Sequence, residues 1–197
     1  MSLFPIMHTI HHTEAFVIRS EPSGEANKRL WLFTQEFGLL IVMVQGVRKP
    51  TAKLQGHISD YSVIAADLIK GKNSWRLVSA KVLEVPMRAN ARSALARAYV
   101  RTLSFLERFL TGEGAHSELF DHMRAMAAII EQGGYDARAV DALSLWKMLV
   151  LLGYVAVSDD EQVLLMLPLG EAVAHVDETM IKKLIKQATD GITHSHL

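Results

Sequence analysis

The hydrophobic period of this 197-residue chain changes at Pro86. On the N-terminal side, apolar residues come in short β-branched or alternating runs punctuated by Gly, Pro and Ser. On the C-terminal side they recur at three- and four-residue steps, the spacing that lays one stripe along a helix. The two periods demand different backbones, because side chains alternate across a strand but return to one helix face every three or four residues. The chain is therefore expected to be α+β, with residues 1–85 as one strand-built domain and residues 86–197 as a helical one. The joint is expected within 85–92.

Five strands are expected before the joint. The first covers 15–19 and ends in a charge, and Glu21-Pro22-Ser23-Gly24-Glu25 reads as turn chemistry. Leu30, Leu32 and Thr34 alternate with Trp31 and Phe33, so the second strand is apolar on both faces. Phe37-Gly38 makes a tight turn into a strand over 39–44, where Ile41, Val42 and Val44 favour an extended chain. A loop over 46–56 leads to a fourth strand over 58–67, and Gly71-Lys72-Asn73 turns into a fifth over 75–85. Five strands joined by turns, with one longer basic loop, match a small Greek-key barrel of the OB-fold kind.

Four helical stretches follow. Leu95, Tyr99, Leu103, Leu106 and Leu110 form the first stripe, with Arg97, Arg101 and Arg108 on another face. Ser117 is expected to cap a second helix carrying Leu119, Met123, Met126 and Ile130, ended by Gly133-Gly134. Asp136 is expected to cap a third helix that runs to Leu152, with Gly153 just past its end. The apolar run 163–167 reads as a short strand, and Asp177 as the cap of a final helix.

The chain carries 21 Lys+Arg and 21 Asp+Glu, but they are not evenly spread. Residues 1–92 hold twelve basic and seven acidic side chains, net +5; residues 93–197 hold nine and fourteen, net −5. The basic front half suits a polyanion. There is no cysteine, which excludes a disulfide, a thiolate nucleophile and Cys-ligated zinc. No apolar run approaches the roughly 18 residues of a membrane span, and the N-terminus does not read as a signal peptide. A cytoplasmic setting and no membrane partner are expected.

Little in the sequence points to catalysis. A Gly-x-Ser-x-Gly elbow, a phosphate-binding Gly-x-x-x-x-Gly-Lys-Ser/Thr loop and a dinucleotide Gly-x-Gly-x-x-Gly are all missing. His8, His11 and His12 are close in sequence, but zinc needs three or four converging ligands and no acidic partner is set by spacing. Asp159-Asp160-Glu161 offers carboxylates to a hard cation, although a solvated loop is the plainer reading. The expectation is no enzyme, no catalytic residue, no metal and no cofactor.

The basic segments say more. Lys28 and Arg29 come after a turn; Arg48, Lys49 and Lys53 lie in the long loop; Lys72 and Arg76, with Lys70, bracket the last hairpin. The loops between the first two and the last two strands of an OB-fold are its usual oligonucleotide-binding rims. Lys28, Arg29, Arg48, Lys49, Lys53, Lys72 and Arg76 are accordingly the candidate DNA-binding residues. Trp31, Phe33, Tyr61 and Trp75 are candidates for stacking on bases, against the plainer reading that each fills the barrel. An OB-fold RNA-binding protein and a protein-interaction scaffold are the alternatives.

One family unites these features. Thr13 to Ser20, Gly24-Glu25, Leu32-Phe33-Thr34, Gly38-Leu39 and Gly46-Val47-Arg48-Lys49 occur in an order and at intervals that resemble the bacterial DNA repair and recombination mediator family RecO. Gly56, Tyr61-Ser62, the segment 80–84, Tyr99, Leu106-Glu107 and the segment 149–154 extend the resemblance over about 13–155. It implies an N-terminal OB-fold and a helical C-terminal domain. It also implies a non-enzymatic protein that binds and anneals single-stranded DNA, binds double-stranded DNA, and works with RecR, often with RecF, to load RecA. The acidic C-terminal tail of single-strand-binding protein is a further implied partner. Many members carry a four-cysteine zinc module, which this cysteine-free chain cannot form. Residues from Ser158 onward depart from the family pattern.

Overall fold

The computed structural model describes residues 9–47, 58–72, 74–88, 90–110 and 112–195. Its N-terminal strands are β1 (Ile10–Ser23), β2 (Asn27–Thr34), β3 (Gly38–Val44), β4 (Val63–Lys70) and β5 (Trp75–Glu84). They hydrogen-bond in the order β1-β2-β3-β5-β4, and β4 pairs back onto β1, so the sheet closes as a barrel. This is the five-stranded OB-fold arrangement, followed by helices. Every pairing is antiparallel except β3 with β5, which is parallel and spans only Val42 opposite Trp75 and Met43 opposite Arg76. The interior is filled by the inward residues of all five strands, among them Val17, Leu30, Leu32, Leu40, Val42, Ile64, Leu68, Trp75 and Leu77.

Two strand limits differ from the sequence expectation. β1 is much longer than 15–19 and absorbs Glu21, Pro22 and Ser23, leaving only residues 24–26 as the turn. Proline is tolerated there because β1 pairs with β4 only through Ile10–Phe16; beyond that point β2 is its one strand partner. β4 starts at Val63 rather than 58, because Tyr61 takes a left-handed φ of 67° and Ser62 bonds back to the Ser59 carbonyl through both its N–H and its hydroxyl. A strand cannot run through that turn.

Gly38 makes the β2–β3 connection. Its φ of 68° is one that L side chains rarely adopt, and a Cβ at this position would run into the carbonyl oxygen of Gly114. Thr34 completes the turn: its hydroxyl donates to the Gly38 carbonyl at 2.8 Å and accepts from the Phe37 N–H at 3.1 Å.

The chain divides between Val85 and Pro86 into two compact units, with residues 112–115 belonging to the first. The second unit comprises α1 (Ala94–Phe109), α2 (Ser117–Gln132), α3 (Ala137–Leu151), α4 (Gln162–Met166), α5 (Leu169–Ala174) and α6 (Glu178–His194). α3 is its spine, touching α1, α2, α5 and α6. Its buried residues Ala139, Val140, Leu143, Trp146, Met148 and Leu149 lie all around the helix, as the middle of a bundle requires. Asp136 and Asp177 cap α3 and α6 as expected, by accepting from Arg138 N and Met180 N. Ser93 caps α1 in the same way, through Ala96 N. Ser117, expected as a cap, is instead the first residue of α2, and His116 takes the capping position without a side-chain bond. The run 163–167, expected as a strand, lies largely in helix α4. Periodicity cannot separate strand from helix in so short an apolar run.

His122 is buried on α2 with Nε2 3.2 Å from the Ser144 carbonyl. Burial, helped by the charge of Lys147, pushes its pKa down to about 4, so it is neutral at pH 7. The acidic run is not a free loop either. Glu161 is fully buried, accepting from Ser158 N at 2.9 Å and Gln187 Nε2 at 2.8 Å, with Lys183 Nζ at 2.9 Å. Lys183 also reaches Asp160 at 2.7 Å. The ammonium group of α6 thus takes the place a hard cation would need, and it pins the start of α4 to α6. Burial raises the pKa of Glu161, but the bonds from Ser158, Lys183 and Gln187 outweigh that and leave it below the ordinary value of 4.5.

Substitutions at a turn and at this buried carboxylate test the packing. Gly38→Ala should lower stability by about 2–4 kcal/mol, combining left-handed strain with the clash on Gly114. Gly24→Ala, at a similar φ of 66° but with open space around it, should cost only about 1 kcal/mol. Equal losses in urea titrations of the two variants would remove the Gly114 contact from the account. Glu161→Gln should lower the melting midpoint by roughly 3–5 °C at pH 7. Because the folded pKa of Glu161 is depressed, its contribution is complete above pH 4.5 and is lost as the pH falls through the folded value. The gap between wild type and Glu161→Gln should therefore narrow on acidification below 4.5; the depressed His122 is present in both proteins and cancels.

Candidate nucleic-acid interface

Strand register builds the candidate interface. Arg29 on β2 stands opposite Met43 on β3, Met43 opposite Arg76 on β5, and Arg76 opposite Ile69 on β4. Residues directly opposite one another point to the same side of a sheet. Two arginines 47 positions apart therefore share one row on the outer face, with a methionine between them. The β4–β5 turn brings Lys70 and Lys72 beside that row.

Two grooves flank Met43. One, of about 550 Å³, is lined by Arg29, Lys70, Lys72, Ile41, Trp75 and Glu113 among others. The second, of about 250 Å³, is lined by Arg76 together with Asn27, Gln45 and Ile69; the two share Met43, Gly71 and Ser74. Of the sequence-derived candidates, Arg29, Lys72 and Arg76 thus converge. Lys28 does not join them. It stands opposite Val44, whose side chain is wholly buried, and adjacent strand residues face opposite ways. Arg48, Lys49 and Lys53 lie outside the described residues.

The expected stacking aromatics are mostly occupied. Trp75 is a barrel-core residue whose Nε1 donates to Glu113 at 2.9 Å. Phe33 is buried and stacked on Phe16, with ring centres 6.3 Å apart. Trp31 is 7% exposed, and the Arg19 guanidinium lies 3.3 Å over its ring centre, where a base would have to stack. Tyr61 is half-buried in the turn before β4. The outward apolar surface of this face is aliphatic instead: Ile41 is 51% exposed and Met43 half-buried. Such a face offers charge to a phosphate backbone and a smooth apolar strip to bases, with little means of telling one base from another.

Lys70 and Glu113 are the members of the site that the candidate set lacked. The Lys70 amino group lies 2.6 Å from the Glu113 carboxylate, and its bond, with that from Trp75, holds the Glu113 carboxyl below the usual carboxylate range. Lys70 was legible as part of the basic hairpin. Glu113 was not, being 43 residues further along the chain.

The histidines separate. His11 and His12 are neighbours on β1 and so face opposite sides. His11 packs edge-on against Phe37 and Trp75, each at 5.3 Å, and His12 Nδ1 is 2.6 Å from Asp67. His8 lies outside the described residues. Among the described residues no three His, Cys, Asp or Glu side chains come together as metal ligands would. Among them, too, no helix is long and apolar enough to cross a membrane.

The sequence is similar to those of known proteins. The family model "Recombination protein O N terminal" matches residues 7–85. The DNA repair protein RecO of Synechococcus elongatus is 31% identical over 150 residues, covering 75% of this chain and 56% of that protein. That of Pelotomaculum thermopropionicum is 28% identical over 155 residues, covering 75% and 57%. That of Heliobacterium modesticaldum is 35% identical over 75 residues, covering 38% and 28%. The chain spans little more than half the length of these curated relatives at most. The barrel falls within the family model and the longer alignments extend into the helical unit: the chain belongs to the RecO family.

Proposed function

We propose that this chain is a non-enzymatic, DNA-binding recombination mediator in DNA repair. It holds single-stranded DNA along the cationic face of its barrel, neutralises phosphate repulsion so that complementary strands anneal, and with RecR assists the loading of RecA. Double-stranded DNA, the acidic tail of single-strand-binding protein and, in many settings, RecF complete its partners, in the cytoplasm at the nucleoid.

The observation that carries this reading is the meeting of Arg29, Lys72 and Arg76 on one outer face of an OB-fold barrel. Three separate strands or turns supply those cations, and their row crosses the sheet as an extended backbone would have to. The sharing of the chain with proteins named DNA repair protein RecO supports the polymer being DNA. Arg48, Lys49 and Lys53 belong to the proposed path as flanking cations that add affinity without reading sequence, whereas Lys28, on the other side of β2, does not.

Fluorescence anisotropy with a labelled single-stranded oligonucleotide tests the reading. Each neutralised phosphate contributes about −0.7 to the slope of log K against log salt, so three or four contacts give roughly −2 to −3. Arg29→Glu with Arg76→Glu should weaken binding to every oligonucleotide sequence alike and flatten the slope by about 1.4. The thermal melt should stay close to wild type, since both side chains lie on the outer face. Salt-independent binding, or an equal affinity of the folded double variant, would remove this face from the DNA path. A preference for RNA of matched sequence would favour a site that reads the 2′-OH instead.

A further inference from the structure

Glu113 is a negative charge in a groove whose other charged residues, Arg29, Lys70 and Lys72, are all cations. It lies on the short stretch 112–115, which connects α1 and α2 in the sequence but packs as part of the barrel unit. Backbone pairing holds that stretch: Gly38 and Glu113 form an antiparallel bridge, to which the Gly114 N–H contributes by donating to the Phe37 carbonyl at 3.1 Å. This pairing does not involve the Glu113 carboxylate. The side chain is therefore placed by its backbone and reaches into the groove, where its oxygens divide between Lys70 Nζ at 2.6 Å and Trp75 Nε1 at 2.9 Å. Arg29 and Lys72 line the same groove.

A carboxylate and a phosphodiester oxygen are interchangeable to an ammonium donor: both are anionic acceptors at the same hydrogen-bond distance. Lys70 and Glu113 are each about half exposed, so their bond is of the weak, solvent-screened kind that a polyanion can outcompete.

We propose that the Glu113 carboxylate is an internal competitor for the phosphate backbone: it occupies Lys70 in the free protein, and a nucleic-acid phosphate takes its place and recruits Lys70 as a further cation of the groove. The proposal rests on the nucleic-acid reading of this face. It gives the barrel a built-in brake on affinity. An isolated anion must displace Glu113 for one contact, whereas a strand already held by Arg29 and Lys72 presents its next phosphate at high local concentration. Short or singly charged anions are thereby disfavoured relative to long strands.

The test compares wild type, Glu113→Gln, Lys70→Ala and the double variant, using a single-stranded oligothymidylate across a salt series. Glutamine keeps an oxygen acceptor for Trp75 while removing the charge, which preserves the turn. Glu113→Gln should bind about five-fold tighter at low salt. Its slope should steepen less than the roughly 0.7 of a wholly new contact, because Lys70 is recruited in the wild type as well. In the Lys70→Ala background the same substitution should bring a clearly smaller gain, the coupling that a double-mutant cycle isolates. In the wild type, oligonucleotide should also shift the Trp75 indole N–H resonance, because its acceptor moves. Salt-dependent binding that is equal or weaker in Glu113→Gln, or with the Trp75 resonance unmoved, overturns the role of Glu113 and leaves the nucleic-acid reading intact. Absence of wild-type binding at every salt concentration overturns both.

Discussion

β1 pairs with β4 through Ile10–Phe16 and with β2 through Ala15–Ser23, and the hand-over falls at an irregularity between Val17 and Arg19. Val17 stands opposite Leu32 and Arg19 opposite Trp31, so Ile18 is the extra residue of a bulge. Bulges bend a strand and sharpen its twist. That bend lets one strand serve two neighbours and removes the edges that a five-stranded open sheet would present. The bulge also sets the facing of the rest of β1. It carries Arg19 to the same side as Trp31, and the guanidinium covers the ring.

The charge on the outer face is a consequence of this closure. β3 and β5 meet through only two residue pairs, and one of them, Met43 with Arg76, extends the row begun by Arg29. The short parallel contact leaves a groove beside it, which the Gly38–Glu113 bridge borders and the β4–β5 turn overhangs. Cations drawn from β2, the hairpin and β5 repel one another when crowded. Two features moderate that here. Glu21, opposite Arg29 on β1, pairs with the neighbouring Arg19 on the same face, and Glu113 takes the charge of Lys70. The face remains cationic, but its excess is partly neutralised within the barrel unit itself.

In the helical unit the organising element is α3, whose apolar residues lie on all sides. α6 is tied to the rest through Lys183 and Gln187, both of which converge on the buried Glu161. Removing a carboxylate from water is unfavourable unless its lone pairs are met, and the Ser158 N–H, an ammonium and an amide meet them. A run that reads as a surface acidic patch is thus partly an interior fastening. The distinction between the three neighbours is one of direction: Glu161 points inward, while Asp159 and Asp160 remain exposed.

Local patterning was enough to establish the α+β order, the five strands and the main helices. Alternation in 30–34 and the three- and four-residue steps after Leu95 can be read without knowing what packs on them. Asp136 and Asp177 were legible as caps for the same reason, since a cap bonds to backbone two or three residues away. Short or ambiguous segments were not. The run 163–167 could not declare itself helical, and Pro22 reads as a turn residue until the one-sided pairing of β1 makes it harmless in a strand. The basic hairpin was visible, and so was the positive front half. Which cations meet depends on the closed barrel, because register, and not sequence distance, brings Arg29 to Arg76 and turns Lys28 away from them. Glu113 lies furthest from anything local reasoning reaches. Its place in the groove depends on Gly38 having no side chain, which allows the stretch 112–115 to approach β3 closely enough to pair.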